Sequence, residues 1–198
     1  MAEPSRRIVV GISGASGAIY GVRLLQQLRR APAHEVHLVV SASGKRTLVE
    51  ETGYTLRDVE ALAHVVYDDR DVGASLASGS FRTAGMIVAP CSIKTLAALA
   101  QGHADTLIAR AGDVTLKEGR PLLALVREAP LHAGHLRQMV AFAELGGIVF
   151  PPVPAFYTRP KTVDEIVDQT VGRVLERMGL DHDPIPEWTA GGRRPPGD

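Results

Sequence analysis

Five short, nearly continuous apolar runs punctuate this chain. They are Ile8 to Ile12, the end of HEVHLVV (34–40), GMIVA (85–89), PLLALV (121–126) and the run 147–150. Runs of this length bounded by turn residues read as strands buried on both faces. Between them the apolar positions switch to helical spacing. Ile19, Val22, Leu24, Leu25 and Leu28 share one face, Arg23, Gln26, Gln27, Arg29 and Arg30 lie largely opposite, and Pro32 closes that helix. Further helices are predicted over 45–51, 55–63, 93–101, 105–119 and 135–145. A last one starts at Thr162 as N-cap, with Glu165 at capping-box spacing, and runs to Met178 before Gly179.

Five apolar strands alternating with helices, without a repeat, predict an α/β fold: a parallel sheet with helices on both faces. The order of the strands is left open. Residues 64–67 read as a short extended piece. The run after them, DDRDVGASLASGSFR (68–82), is rich in Asp, Ser and Gly, and a loop that long is expected to be either functional or disordered. The chain ends in GGRRPPGD, so one domain is expected over 1–188 and a disordered tail over 189–198.

The chemistry is expected where strands end. GISGASGAIYG follows the first strand and opens the first helix, so it presents free N–H groups at the positive end of a helix dipole. A phosphate is the expected occupant, with Ser13 and Ser16 adding hydroxyl bonds. The spacing of Gly11, Gly14 and Gly17 is neither the dinucleotide fingerprint nor a Walker loop, so a glycine-rich turn without a ligand stays open. Ser41 ends the second strand and can face the same crevice, while Ser43 reads as a helix cap. Arg127 directly follows a strand and suits bidentate phosphate binding, and Lys117 suits a point charge. Taken singly, each is more often a solvated surface charge. Glu51 and Glu128 can carry protons if partly desolvated. Tyr157, in a proline-rich loop, and Trp188, near the end, are poor core candidates and can offer π faces to a carbocation.

Composition narrows the classes. The 198 residues suit one domain, and 22 Lys+Arg balance 22 Asp+Glu, so nothing indicates nucleic-acid or membrane binding. Cys91 is the single cysteine, which excludes an intrachain disulfide, makes a cysteine-rich metal site untenable and fits a reducing compartment. It reads as a small buried hydrophobe. No apolar run approaches the ~20 residues of a bilayer span. A cytoplasmic protein is expected.

Seven segments together resemble the UbiX-type flavin prenyltransferases of the flavoprotein superfamily: GISGASGAIYG, SASGKRTLVEET (41–52), ASGSF (77–81), PCSIKTL (90–96), DVTLKEGRPL (113–122), VREAPLH (126–132) and PPVPAFYTRP (151–160). The resemblance runs from Arg7 to about Trp188 and implies a Rossmann-like flavoprotein fold. It also implies a metal-independent transferase that takes reduced FMN as substrate. The enzyme joins N5 and then C6 of the flavin to a dimethylallyl group from dimethylallyl monophosphate, giving prenylated FMN for a UbiD-type decarboxylase.

By position, Gly14, Ala15, Ser16, Ser41, Cys91, Ser92, Ile93, Lys94 and Arg127 resemble FMN contacts. Lys117, Arg127, Glu128, Tyr157 and Arg173 resemble the dimethylallyl phosphate site. Ser16 and Glu51 resemble groups that handle protons near the flavin, Glu128 one that aids phosphate departure, and Trp188 an aromatic lid. Gly119 stands where the family has arginine. The resemblance further implies a homododecamer with shared sites. Two other functions compete: an FMN-dependent cysteine decarboxylase of the same superfamily, whose PASANT-like and PxMNxxMW-like segments are missing here, and a non-catalytic flavin carrier.

Overall fold

The computed structural model describes residues 7–31, 33–182 and 185. Its centre is a parallel sheet of six strands: β1 (Arg7–Ile12), β2 (Glu35–Val40), β3 (Val65–Asp68), β4 (Gly85–Cys91), β5 (Leu122–Val126) and β6 (Ile148–Val149). The order is β3-β2-β1-β4-β5-β6. β1 lies centrally, so Ile8, Val10 and Ile12 enter one core while Val9 enters the other. Those two cores explain the unbroken apolar runs, since a strand covered on both faces needs no polar alternation.

Among the described residues seven α-helices flank the sheet: α1 (Ala18–Arg30), α2 (Ala42–Glu51), α3 (Leu56–Glu60), α4 (Ile93–Gln101), α5 (Leu107–Lys117), α6 (Ala133–Glu144) and, after the last strand, α7 (Val163–Arg177). Leu24, Leu25 and Leu28 of α1 pack with Val167, Val171, Val174 and Leu175 of α7 on one face. Leu96 and Leu99 of α4, Leu107 and Ile108 of α5 and Phe142 of α6 fill the other. Arg23, on the polar side of α1, ties α7 down through Asp164 and Asp168.

The predicted α/β class holds, and several details differ. The extended piece at 64–67 is a sixth strand. β3 is an edge strand whose positions alternate between half-buried and exposed, a pattern too polar and too short to stand out. Residues 69–83 are ordered as a strap over α5. Asp69 accepts from Ile108 N–H at 3.0 Å and its carbonyl from Leu107 N–H at 2.7 Å, so the strap caps α5. Leu76 anchors its middle in the core. Helix α2 begins at Ala42 with Ser41, not Ser43, as its cap: Ser41 Oγ accepts from Gly44 N–H at 3.0 Å. Thr162 caps α7 as expected, but Glu165 accepts from Lys161 N–H, one residue earlier than a capping box would have it. Trp188 and the 189–198 tail lie outside the described residues.

Candidate active site

The strand order places a topological switch point between β1 and β4. Connections from β1 lead to one side of the sheet and connections from β4 to the other, which opens a crevice at the carboxyl edge. Three helix starts, those of α1, α2 and α4, follow the adjacent strands β1, β2 and β4 at that edge. Close packing forms this corner. A Cβ on Gly14 would lie 2.2 Å from the Ser43 Cβ, so glycine is needed for the first loop to rest on the start of α2.

The start of α1 already holds an anion, and it belongs to the chain itself. Gly17, in a left-handed conformation, donates its N–H to Glu51 Oε2 at 2.7 Å, and Ala18 N–H reaches the same oxygen at 3.3 Å. Burial alone would raise the Glu51 pKa. Hydrogen bonds from Ser16, Gly17 and Ala18 and the charge of Arg127 outweigh it, so the carboxyl stays below its ordinary value. The phosphate expected at α1 is therefore replaced by a carboxylate, through a contact 34 residues long that no local pattern encodes. Ser16, Glu51 and Arg127 form one electrostatic group.

The Ser13 hydroxyl is likewise engaged within the chain. It is buried, donates to the Pro90 carbonyl at 3.1 Å and accepts from Ser92 N–H at 2.8 Å, stapling the β1 loop to the end of β4. Ser92 in turn caps α4, with Oγ accepting from Thr95 N–H at 3.2 Å. The helix leaves the N–H groups of Ile93 and Lys94 without acceptors of its own, beside the Ser13 staple. A phosphate fits there by charge and donor count, and Lys94 is exposed beside it. Cys91 is the small buried hydrophobe expected of it: it is wholly buried, and burial pushes its thiol pKa far up. Any contact there comes from the backbone. Ala15 is also buried, whereas Gly14 and Ser41 stay partly accessible.

Arg127 is exposed, and its N–H donates to the Cys91 carbonyl at 3.1 Å, which fixes it at the carboxyl edge. Glu128 follows, half-buried, accepting from Ala129 N–H at 3.1 Å. Tyr157 sits in a 3-10 turn, Phe156–Thr158, and is 39% exposed.

Lys117 and Arg173 are not in this group. Lys117 ends α5 just before β5 begins, whereas Arg127 comes just after β5 ends. Five strand residues at ~3.3 Å each separate the two levels by roughly 16 Å. Lys117 pairs with Glu118 at 3.4 Å. Arg173 is an exposed α7 residue ion-paired with Glu176, on the face opposite α5. One copy of the chain thus gathers Ser16, Glu51 and Arg127, with Glu128 next along the chain after β5, but not the other two cations. Sequence reasoning missed the Ser13 staple, the Asp69 cap and the Arg120 contacts with the strap. The first depends on the sheet order and the others on a tertiary fold of the 68–82 run.

A doubly wound sheet with helix starts and an arginine at its switch point defines a Rossmann-like nucleotide-binding protein. The flavoprotein family model matches residues 2–175. The flavin prenyltransferase UbiX of Salmonella typhimurium is 55% identical over 185 residues, spanning 92% of this chain and 98% of the relative. That of Thauera aromatica is 55% identical over 95% of this chain and 96% of its own. Among solved structures, AnUbiX (PadA1) in complex with FMN and dimethylallyl pyrophosphate superposes with a TM-score of 0.89 at 45% identity, covering 93% of this chain and all of that one (100%). A dodecameric FMN-dependent UbiX-like decarboxylase from Escherichia coli O157:H7 gives 0.87 at 52% identity, covering 89% and 96%. The chain belongs to the flavoprotein family, among the UbiX-type flavin prenyltransferases.

Proposed function

We propose that this protein transfers a dimethylallyl group from dimethylallyl monophosphate to reduced FMN, with bonds to N5 and C6 and release of phosphate, to make prenylated FMN. The observation that carries the reading is the grouping of Ser16, Glu51 and Arg127 at the switch point, on a chain 55% identical to flavin prenyltransferases. In this reading the α4 start, with Ser92, Ile93 and Lys94, holds the FMN phosphate, and Gly14, Ala15 and Ser41 line its approach. Glu51 and Ser16 hold or pass the proton near the flavin, since the carboxylate is already ionised and hydrogen-bonded to the hydroxyl. Arg127 stabilises charge between the two phosphates, and Glu128 gives a proton to the departing one.

Lys117, Tyr157 and Arg173 complete the donor site from neighbouring copies. The strand-length gap between Lys117 and Arg127 supports this, as does the dodecameric state of the similar protein from Escherichia coli. Trp188 is assigned the lid over the prenyl group. Allylic ionisation needs cations at the leaving phosphate and a site closed to water, and a shared site closes only on assembly. The product serves a UbiD-type decarboxylase. No helix among the described residues is long and apolar enough to cross a membrane, and we place the reaction in the cytoplasm.

The test is anaerobic incubation of the full chain with reduced FMN and dimethylallyl monophosphate, followed by mass spectrometry of the flavin. A gain of one prenyl unit is expected. Unmodified FMN bound to the protein would instead indicate a carrier.

A further inference from the structure

The segment ASGSF (77–81) is one of those that carry the resemblance, and within one copy of the chain it packs against the turn before β5. It runs beside the turn that follows Lys117. Arg120 Nη2 donates to the Gly79 carbonyl at 2.7 Å, and Nη1 donates to the Phe81 carbonyl at 3.0 Å and to Thr83 Oγ1 at 3.4 Å. Arg120 is largely buried, at 15% side-chain exposure. The far end of the strap is fixed by Asp69 on α5, so the strap is tied at one end to the start of the helix and at the other to the turn that follows it.

Glu118 lies inside this frame. Its Oε1 is 3.4 Å from Lys117 Nζ and its Oε2 is 3.9 Å from Arg120 Nη2. The carboxylate rests directly on the strap, because a Cβ on Gly79 would come within 2.2 Å of Glu118 Oε1. A side chain as flexible as lysine is thereby offered one acceptor, held in place from two sides.

We propose that Glu118, seated by Arg120 and by the bare backbone at Gly79, is a positioning residue that aims the Lys117 ammonium at the donor phosphate. This rests on the proposed function, in which Lys117 serves the donor site of a neighbouring copy. Glu118 touches neither substrate. It limits the orientations Lys117 samples before the donor arrives, so its loss appears in donor binding and not in flavin binding.

Steady-state kinetics on the full-length protein, with donor and FMN varied separately, test this. Glu118→Ala is expected to raise the donor KM about tenfold, with kcat within about twofold and FMN affinity unchanged. Glu118→Gln keeps an acceptor for both cations and is expected to stay within about twofold of wild type. Gly79→Ala displaces only the tip of Glu118, so it preserves the fold and reproduces the Glu118→Ala effect. The double variant is expected to be no worse than either single one. An unchanged or lower donor KM in Glu118→Ala overturns the proposal, as does a parallel loss of FMN affinity or equal behaviour of the Ala and Gln variants. If wild type gives no prenylated flavin, the proposed function fails and this inference with it. If wild type gives product and Glu118→Ala matches it, the positioning role alone fails.

Discussion

Lys117 and Arg127 stand at opposite ends of β5, and that separation predicts a specific result for mixed assemblies. Neither side chain spans the roughly 16 Å of a five-residue strand, so a site that uses both must draw them from different copies. Lys117→Ala and Arg127→Ala, each assembled alone, remove one cation from every site, and each is expected to lose about 10²–10³ in rate. Assembled together at equal amounts, a site is intact when its Arg127 comes from a Lys117→Ala subunit and its Lys117 from an Arg127→Ala subunit. With random placement that is about one half times one half, so about a quarter of wild-type activity returns. The assay is co-expression with two different tags, tandem purification of the mixed oligomer, confirmation of its composition by native mass spectrometry, and measurement of prenylated flavin formed per subunit. Mixed oligomers no more active than the average of the two parents would refute the shared site.

Two further predictions concern the chain by itself. Glu51 has a depressed carboxyl pKa, so its contribution to stability is in full force above the ordinary carboxylate value and fades as pH falls through the lowered folded value. Glu51→Gln should flatten that part of the stability-versus-pH curve, and a Glu51 resonance titrating at or above 4.5 by NMR contradicts the assignment. Phe142 is fully buried, and its ring lies where a Cβ on Gly147 would be, at 2.4 Å. Phe142→Ala should cost about 3–5 kcal/mol in denaturant unfolding and loosen β6, whereas a loss below about 1 kcal/mol would mean that α6 is not clamped there.

The central strands and the amphipathic helices were legible because burial on two faces and on one face writes two different periodicities. Leu24, Leu25 and Leu28 fall on the face that the spacing assigned to them. β3 was not legible as a strand, since an edge strand of four residues carries Val65 and Tyr67 on one side and exposed groups on the other. In the candidate site, Arg127 was legible from its place after a strand. Glu51 was a candidate carboxylate, but its seat on the α1 start depends on how α2 folds back, which no spacing records. Ser41 and Ser43 illustrate the limit at one residue: both can cap, and only the backbone turn at Ser41 decides between them. The remoteness of Lys117 was implicit in the chain order, since a whole strand stands between it and Arg127, whereas that of Arg173 depends on which face of the sheet α7 covers, which the sequence left open.

The most direct measurement follows one anaerobic turnover with dimethylallyl monophosphate carrying ¹³C at its phosphate-bearing carbon. Inorganic phosphate should be released one for one with flavin consumed, and the labelled carbon should appear bonded to flavin N5. Phosphate release without a labelled flavin, or a labelled flavin formed equally well by enzyme lacking both Lys117 and Arg127, would contradict the account.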